Sequence, residues 1–171
     1  MERVLPCRTL ALKLCLLLFS LLSVSGFGAS AAKSNMLKMA ADLTQAAEVG
    51  HAIQPQTPPS ASGSAHIRYY PDLGKLKFVI VYRHLSGSAS MVHFHLGAAG
   101  KNGPILVTVC GTDKSAILKT CPKFKTVFLA SSWNVPKKYR QALLQKKIYI
   151  NVHTALNPKG EIRGQVLSKA K

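Results

Sequence analysis

The sequence has few acidic residues. Six Asp and Glu stand against 23 Lys and Arg, so the formal net charge is +17 over 171 residues. The sequence therefore has few candidate residues for reactions that depend on paired or clustered carboxylates, such as glycoside hydrolysis. A Gly-x-Ser-x-Gly nucleophile motif is also absent, and no spacing indicates a Ser-His-Asp set. These absences favour a protein that is not an enzyme.

Long hydrophobic runs are equally scarce. The run at residues 14–24 is eleven residues long, whereas a membrane-spanning helix needs about 20 residues. Basic residues precede this run and the small-residue sequence Ala29-x-Ala31 follows it, a pattern typical of a secretory signal peptide. We therefore predict that residues 1–31 are a signal peptide, and that the mature chain is secreted, extracellular and not transmembrane.

Cysteine is sparse too. Of the four cysteines, Cys7 and Cys15 lie in the predicted signal peptide, which leaves Cys110 and Cys121. Two thiolates alone are too few for a structural zinc site. An oxidising compartment favours a disulfide over two free thiols, and closing a loop of about a dozen residues stabilises a fold by roughly 3 kcal/mol. We therefore predict a disulfide between Cys110 and Cys121.

Residues 32–63 are predicted to lie outside the main domain. Residues 35–53 place Met36, Met39, Leu43 and several alanines at three- and four-residue spacing, which indicates a short, weak amphipathic helix. Residues 54–64 contain three prolines followed by Ser and Gly, a composition typical of an extended linker. The sequence therefore predicts a folded domain at residues 64–168.

The rest of the chain alternates short β-rich runs with Gly- and Pro-containing turns. This spacing predicts an all-β protein, an antiparallel Greek-key β-sandwich or barrel of the immunoglobulin-like or Cu/Zn superoxide dismutase-like kind. One short helix is predicted at residues 135–144, where Pro136 suits the first turn. The predicted strands are residues 65–70, 75–84, 91–96, 105–110, 126–130, 148–154 and 161–167.

Two motifs resemble those of a known family. Residues 92–105 contain His-x-His-x-Gly-x-x-Gly-x-x-Gly-Pro, a segment of the chordin-type (CHRD) domain, and residues 149–165 resemble the closing motif of that domain. The first hairpin, residues 63–85, fits more loosely. The resemblance covers about residues 62–167 and implies a secreted β-sandwich module found in extracellular proteins, with a largely undefined molecular role. Residues 114–133 depart from the family pattern, so no partner follows from them.

The residues of these motifs also have a structural interpretation. Gly97, Gly100 and Gly103 are expected in a turn between strands, where a positive φ or a close backbone approach requires glycine. Glu161 and Arg163 lie two residues apart on a predicted strand and therefore share a face. They are expected to form an ion pair with each other or with neighbouring strands, and we favour a structural role for them.

Three histidines form a candidate metal site. His93 and His95 share one face of a strand, opposite Val92 and Phe94, and His153 lies on a later strand. If these strands are neighbours, the three imidazoles converge, which suits Zn²⁺ or copper. The arrangement faintly resembles Cu/Zn superoxide dismutases, but the long His- and Asp-rich loop of those enzymes is missing, so redox catalysis is not expected. The alternative is a set of hydrogen-bonding residues on a polar sheet face.

The basic residues concentrate in one segment. Residues 119–147 contain no acid, and in an exported protein such a segment attracts acidic polysaccharides and matrix or cell-wall polymers. Lysine outnumbers arginine and few aromatics intervene, so nucleic acid is a poorer candidate. A lysine-rich surface that only aids solubility is an equal alternative. The candidate polyanion-binding residues are Lys119, Lys123, Lys125, Lys137, Lys138, Arg140, Lys146 and Lys147.

The sequence therefore predicts a secreted, non-enzymatic binding module whose partner is an acidic extracellular polymer or another protein. One alternative is a β-barrel that binds copper or zinc through its histidines, with weak or no redox activity. Another is a purely structural adhesive or matrix role, which predicts neither property.

Overall fold

The computed structural model describes residues 35–124 and 126–169, so the predicted signal peptide lies outside the described residues. These residues form strands connected by turns, with a short α-helix, α1 (Lys137–Leu144), and a 3-10 turn at Gln45–Ala47. The strands are β1 (Leu37–Thr44), β2 (Ser62–Tyr70), β3 (Lys75–Arg83), β4 (Ala89–Leu96), β5 (Ile105–Cys110), β6 (Thr126–Asn134), β7 (Ile148–Thr154), β8 (Ile162–Gln165) and β9 (Leu167–Ser168).

All nine strands belong to one antiparallel sheet. Neighbouring strands follow the order β5-β4-β7-β8-β1-β2-β3-β6, and β9 pairs with β1. The connections from β3 to β4 and from β5 to β6 pass between the two ends of this order, which gives the non-sequential arrangement expected of a Greek key. The predicted fold class is therefore confirmed as antiparallel all-β with one short helix in the described chain.

The sheet curls so that its two halves enclose a common core. Phe94 on β4 packs edge-on against Phe78 on β3, with ring centroids 5.4 Å apart. The same ring stacks on Trp133 of β6 at 5.7 Å. Because β4 lies near one end of the strand order and β3 and β6 lie at the other, these contacts require the sheet to fold back on itself. The core therefore has the two facing layers of a sandwich.

The predicted N-terminal helix is wrong, because its residues form β1. This strand pairs with β2 over eight residues in register, from Leu37 opposite Tyr69 to Thr44 opposite Ser62. Met39, Ala41 and Leu43 are buried. A spacing of four residues satisfies both the helical period and the two-residue period of a strand, so the apolar pattern could not separate them. Pairing with β2 decides in favour of the strand.

The proline-containing segment before β2 is fastened to the domain rather than extended as a linker. The side chain of Asn157 donates a hydrogen bond to Thr57 Oγ1 at 2.7 Å, and its amide oxygen accepts one from the backbone N–H of Gln54 at 3.0 Å. Gln45 also donates to the carbonyl of Pro58 at 2.8 Å. The folded body therefore includes β1 and the following turns, upstream of the predicted start at Ser64.

The bounds of the later strands and of the helix agree closely with those predicted from the sequence. β5 and β7 have the predicted bounds, and the other predicted strands differ by at most four residues at either end. Pro136 directly precedes α1, where its fixed φ suits a helix start. The predicted disulfide is confirmed, with Cα atoms of Cys110 and Cys121 5.0 Å apart, and it ties the end of β5 to the loop before β6.

In the part of the chain that the structure describes, no helix combines the length and the apolar character needed to span a membrane.

Candidate functional site

The three predicted histidines come together across two neighbouring strands. β4 pairs with β7, and this register places Met91 opposite His153 and His93 opposite Asn151. One ring nitrogen from each of His93, His95 and His153 lies within 4.8 Å of the others. The sequence predicted that the three imidazoles converge if their strands are neighbours. The two strands are neighbours and the imidazoles do converge.

The face that carries these histidines is buried. His93, His95 and His153 are 3%, 8% and 7% exposed. As strand alternation predicts, His93 and His95 lie on the face of β4 opposite to Val92 and Phe94. The loops of residues 97–104 and 155–160 cover this face and provide hydrogen-bond acceptors to the histidines. The sheet therefore has a polar interior on this side, and the histidines are not the residues of an open surface.

Hydrogen bonds orient two of the three imidazoles. His95 Nδ1 donates to the carbonyl of Gly103 at 3.0 Å, and His153 Nδ1 donates to the carbonyl of Pro158 at 3.1 Å. Because a carbonyl oxygen only accepts hydrogen bonds, each Nδ1 carries the proton and each neutral ring keeps its lone pair on Nε2. A metal-binding histidine usually makes this contact with its second nitrogen.

His93 and His153 approach each other through different ring nitrogens. His153 Nε2 lies 3.2 Å from His93 Nδ1. His95 Nε2 is buried and has no hydrogen-bond partner among the described residues. A buried acceptor without a partner destabilises a fold by about 1–3 kcal/mol. The cluster therefore has one ring nitrogen whose bonding capacity is unused.

Burial keeps the imidazoles neutral. It lowers the pKa of His93 to about 4, and the nearby His153 and His95 lower it further. Burial also lowers the pKa of His153 to about 4, against a smaller opposing effect of the hydrogen bond to Pro158. The pKa of His95 is lowered by burial as well. At neutral pH the cluster therefore presents the unprotonated rings that metal ions bind.

The spacing of one nitrogen pair fits a small divalent cation. Two nitrogens bound to zinc at about 2.0–2.1 Å in tetrahedral geometry are about 3.3 Å apart. The observed separation of His93 Nδ1 and His153 Nε2 is 3.2 Å. A hydrogen bond between the two rings gives the same separation, so this distance alone does not distinguish the two interpretations. The unpartnered His95 Nε2 favours a ligand.

A tight glycine turn covers His95. A Cβ atom on Gly103 would lie 1.6 Å from the carbonyl oxygen of Leu96, so only glycine fits at that position. A Cβ atom on Gly97 would lie 2.9 Å from the ring of Tyr149. Gly100 has a φ of +71°, the left-handed region that glycine adopts without strain. The predicted structural role of these glycines agrees with this geometry, which brings the Gly103 carbonyl to His95.

Arg163 fastens the same turn from β8. Its guanidinium donates to the side-chain oxygen of Asn102 at 2.8 Å and to the carbonyl of Lys101 at 2.6 Å. It also lies 3.5 Å from the centre of the Tyr149 ring, and that ring stacks on His95 with centroids 4.8 Å apart. The closing motif therefore positions the opening motif through a buried arginine and an aromatic ring.

Glu161 organises the opposite side of the cluster. This fully buried carboxylate accepts hydrogen bonds from the backbone and hydroxyl of Ser86, from the hydroxyl of Thr154 and from the amide of Asn157 at 3.0 Å. In the described structure Glu161 and Arg163 therefore bind different loops instead of pairing with each other, and their role is to hold those loops over the sheet. This agrees with the structural role that the sequence favoured.

Sequence reasoning missed Glu48 beneath the same loops. Burial raises the pKa of Glu48 to about 7, although His51 and Arg163 act in the opposite direction. Its Oε2 accepts a hydrogen bond from Asn151 at 3.4 Å, while its Oε1 has no partner among the described residues. Its position follows from the 3-10 turn after β1, which the sequence assigned to a helix. No motif around Glu48 signalled this placement.

A comparison with protein families gives the identity of the fold. The family model for the CHRD domain matches residues 39–166, from β1 to the residue after β8. The chain belongs to the CHRD-domain family. The match includes both motifs quoted from the sequence and all three histidines, and it extends upstream of the predicted domain start. No curated protein and no solved structure matches the chain significantly.

CHRD domains are extracellular interaction modules, and this defines the general role of the chain. The confirmed disulfide agrees with an oxidising environment, where such bonds persist. The specific ligand is not fixed by membership of the family.

The structure divides the predicted basic segment into separate places. Lys119 and Lys123 precede β6, whereas Lys137 and Lys138 follow it, and the nine residues of that strand span about 25 Å. Lys125 lies outside the described residues. The guanidinium group of Arg140 is partly buried and donates to the carbonyl of Val135 at 3.1 Å. β6 therefore stands in the chain between the lysines before it and those at the start of the helix.

Four exposed lysines of the basic segment lie at the two ends of the helix. Lys137 and Lys138 lie at its beginning, and Lys146 and Lys147 follow its end. These four residues are called the helix lysines below.

Proposed function

We propose that this CHRD domain is a non-enzymatic extracellular interaction module that binds one Zn²⁺ or copper ion through His93, His95 and His153. The observation that carries the proposal is the unpartnered Nε2 of His95, which lies in a cluster of three converging, buried imidazoles. Three histidine ligands leave one coordination position that water occupies in such sites.

Several features support a prepared site. Backbone carbonyls of Gly103 and Pro158 hold two of the rings with the proton on Nδ1, which leaves the Nε2 of His95 without a partner among the described residues and the Nε2 of His153 beside His93. The loops that provide these carbonyls are themselves tied down by Arg163 and Glu161. Outer contacts of this kind fix the tautomer and the ring orientation of metal-binding histidines, and losing one commonly weakens metal affinity about 10- to 100-fold.

Metal analysis of the purified chain tests the proposal. We expect one equivalent of zinc or copper in the wild type after incubation with either ion and removal of the excess. His95→Ala and His153→Ala should lose the metal. His66→Ala is a matched control, because His66 is exposed on β2, and it should keep the metal.

Thermal unfolding provides a second readout. A ligand that binds only the folded state raises the unfolding temperature, so added Zn²⁺ should stabilise the wild type and His66→Ala but neither cluster variant. A wild type that is folded, carries no stoichiometric metal and does not respond to either ion would overturn the proposal.

We propose binding of acidic polymers as a second function. Its support is the formal charge of +17 together with the exposure of most lysines in the described chain. Changing all four helix lysines to Gln tests one location, because weaker retention on an acidic-polysaccharide column would place the polymer there. Unchanged retention of this variant would exclude that location.

A further inference from the structure

A second group of cations is aligned across the outer face of the sheet. Lys38 on β1 lies opposite Arg68 on β2, and Arg68 lies opposite Lys77 on β3. The backbone N–H of Lys169 donates to the carbonyl of Lys38 at 3.0 Å, which places a fourth cation beside the row. All four residues are exposed. We call Lys38, Arg68, Lys77 and Lys169 the outer-face cations.

These residues line a groove of about 620 Å³. Other lining residues include His66 and Val79, and no acidic residue is among those that form the groove. Like charges directly opposite each other on neighbouring strands repel and destabilise a sheet. The lining therefore contains unbalanced positive charge that an external anion would neutralise.

An apolar row runs beside the cations. His66 lies opposite Val79, and Val79 lies opposite Ala130 on β6. Val79 is 37% exposed. Neighbouring strands are about 4.8 Å apart, so the three-strand cation row extends over about 10 Å and the apolar row lies alongside it. The groove thus presents charges at regular spacing next to the exposed side chains of Val79 and Ala130.

We infer that this groove binds a segment of an acidic polysaccharide, with the outer-face cations contacting its sulfate or carboxylate groups. The inference rests on the proposed binding of acidic polymers and specifies both the surface and the ligand class. A sugar chain carries anionic groups at intervals and also exposes the C–H faces of its rings. Val79 and Ala130 offer a surface for those faces, while the cations contact the charged groups.

The shape of the surface separates this ligand from other polyanions. A flexible chain enters a groove, whereas a planar lipid surface contacts only its rim. Single-stranded nucleic acid gains much of its affinity from stacking on aromatic side chains. Neither neighbouring aromatic lines the groove: Tyr70 already lies beneath the ammonium of Lys77, whose Nζ is 5.7 Å from the ring centre, and Phe128, 71% exposed on β6, lies outside the lining.

A double substitution with a matched control tests the inference. Arg68→Gln with Lys77→Gln removes two charges from the groove, and Lys137→Gln with Lys138→Gln removes two charges from the helix lysines. Binding of heparin and of a polyuronate to the purified chain would be measured by calorimetry over a series of salt concentrations. We expect the groove variant to bind at least about tenfold more weakly and to lose about two ion contacts from its salt dependence.

The unfolding temperature of each variant shows whether weaker binding results from loss of the binding surface or from loss of the fold. Because the substitution relieves repulsion across β2 and β3, the groove variant should unfold at the same temperature as the wild type or at a higher one. The helix variant should change affinity by less than about threefold, as expected for a distant charge in salt. Weaker binding by a fully folded groove variant would therefore support the inference.

Other outcomes overturn it in distinguishable ways. Equal losses in both variants would assign the binding to net charge. A loss only in the helix variant would place the polymer at the helix lysines, so that the groove inference fails while the proposed function stands. A wild type that binds neither polymer at physiological salt would refute both. Binding to anionic phosphatidylserine vesicles, with no binding of either polysaccharide, would assign the surface to lipid.

Discussion

Two regions of one sheet carry histidines and basic residues on the face turned away from the core, in similar strand patterns, yet their environments differ. On β4 and β7 the polar face is covered by loops, and His93, His95 and His153 are nearly inaccessible. On β1, β2 and β3 the polar face is open, and the outer-face cations are exposed. Alternation along a strand therefore determines which residues share a face, whereas the loops determine whether that face is exposed to solvent.

Covering the face changes the chemistry of its side chains. Burial lowers the pKa of the clustered histidines and raises the pKa of Glu48 to about 7, because a charged group loses hydration there. On the open face, water hydrates the cations and they remain available to an anion. The covered face thus suits a metal ion and the open face suits a polyanion.

Removing the carboxylate that holds the cover should have the largest effect. Glu161→Ala leaves the donors of Ser86, Thr154 and Asn157 without their acceptor in the interior. We expect the free energy of unfolding to fall by about 3 kcal/mol or more, measured by denaturant titration. Asp42→Ala, on the open face, is the control and should change it by less than about 0.5 kcal/mol. A similar small change in both variants would contradict the structural role of Glu161.

Disturbing the glycine turn should open the covered face with a somewhat smaller effect. Gly103→Ala forces the backbone away from Leu96, so we expect a loss of about 2 kcal/mol and exposure of His95. Hydrogen exchange of the β4 amides would report the opening. Gly87→Ala is a matched control, because no atom lies within 4 Å of its added Cβ. Equal protection in the two variants would show that the turn does not control access to the histidines.

The pH dependence of stability sharpens the comparison through Glu48. Its pKa is raised to about 7 in the folded protein, so the folded state binds the proton more tightly than the unfolded state. The stabilisation associated with this proton is fully present below about pH 4.5 and is lost as the pH rises through about 7. Denaturant titrations of wild type and Glu48→Gln should therefore diverge over this range, with the variant losing less stability. Parallel curves would count against a buried proton on Glu48.

On the open face, reversing one charge should stabilise the sheet slightly. Arg68→Glu places a carboxylate opposite both Lys38 and Lys77, so we expect a gain of about 0.2–1 kcal/mol. Arg83→Glu is the control, because its cross-strand neighbours are Ser62 and Thr126. Thermal unfolding would measure both. Destabilisation by Arg68→Glu alone would show that the cation row is not repulsive.

Much of the fold was predictable, and the errors have identifiable causes. The predicted strands are largely confirmed, because alternating apolar residues and turn residues define them locally. β1 was missed because Met39 and Leu43 fit two periods, and only pairing with β2 separates them. The cation row was partly predictable from the sequence, because a hairpin that turns at residues 71–74 places Arg68 opposite Lys77. Lys38 joins that row through the strand that was predicted as a helix.

The sequence by itself determined the alternation of the strands, the shared face of His93 and His95, the cysteine pair and the motifs of the CHRD family. These properties depend on neighbours along the chain or on a pattern of residue types. Only the tertiary structure decided that loops cover the histidines, that basic residues of the 119–147 segment lie at opposite ends of β6, and that three strands align Lys38, Arg68 and Lys77. These depend on register and burial among residues far apart in the chain, which local preferences do not specify.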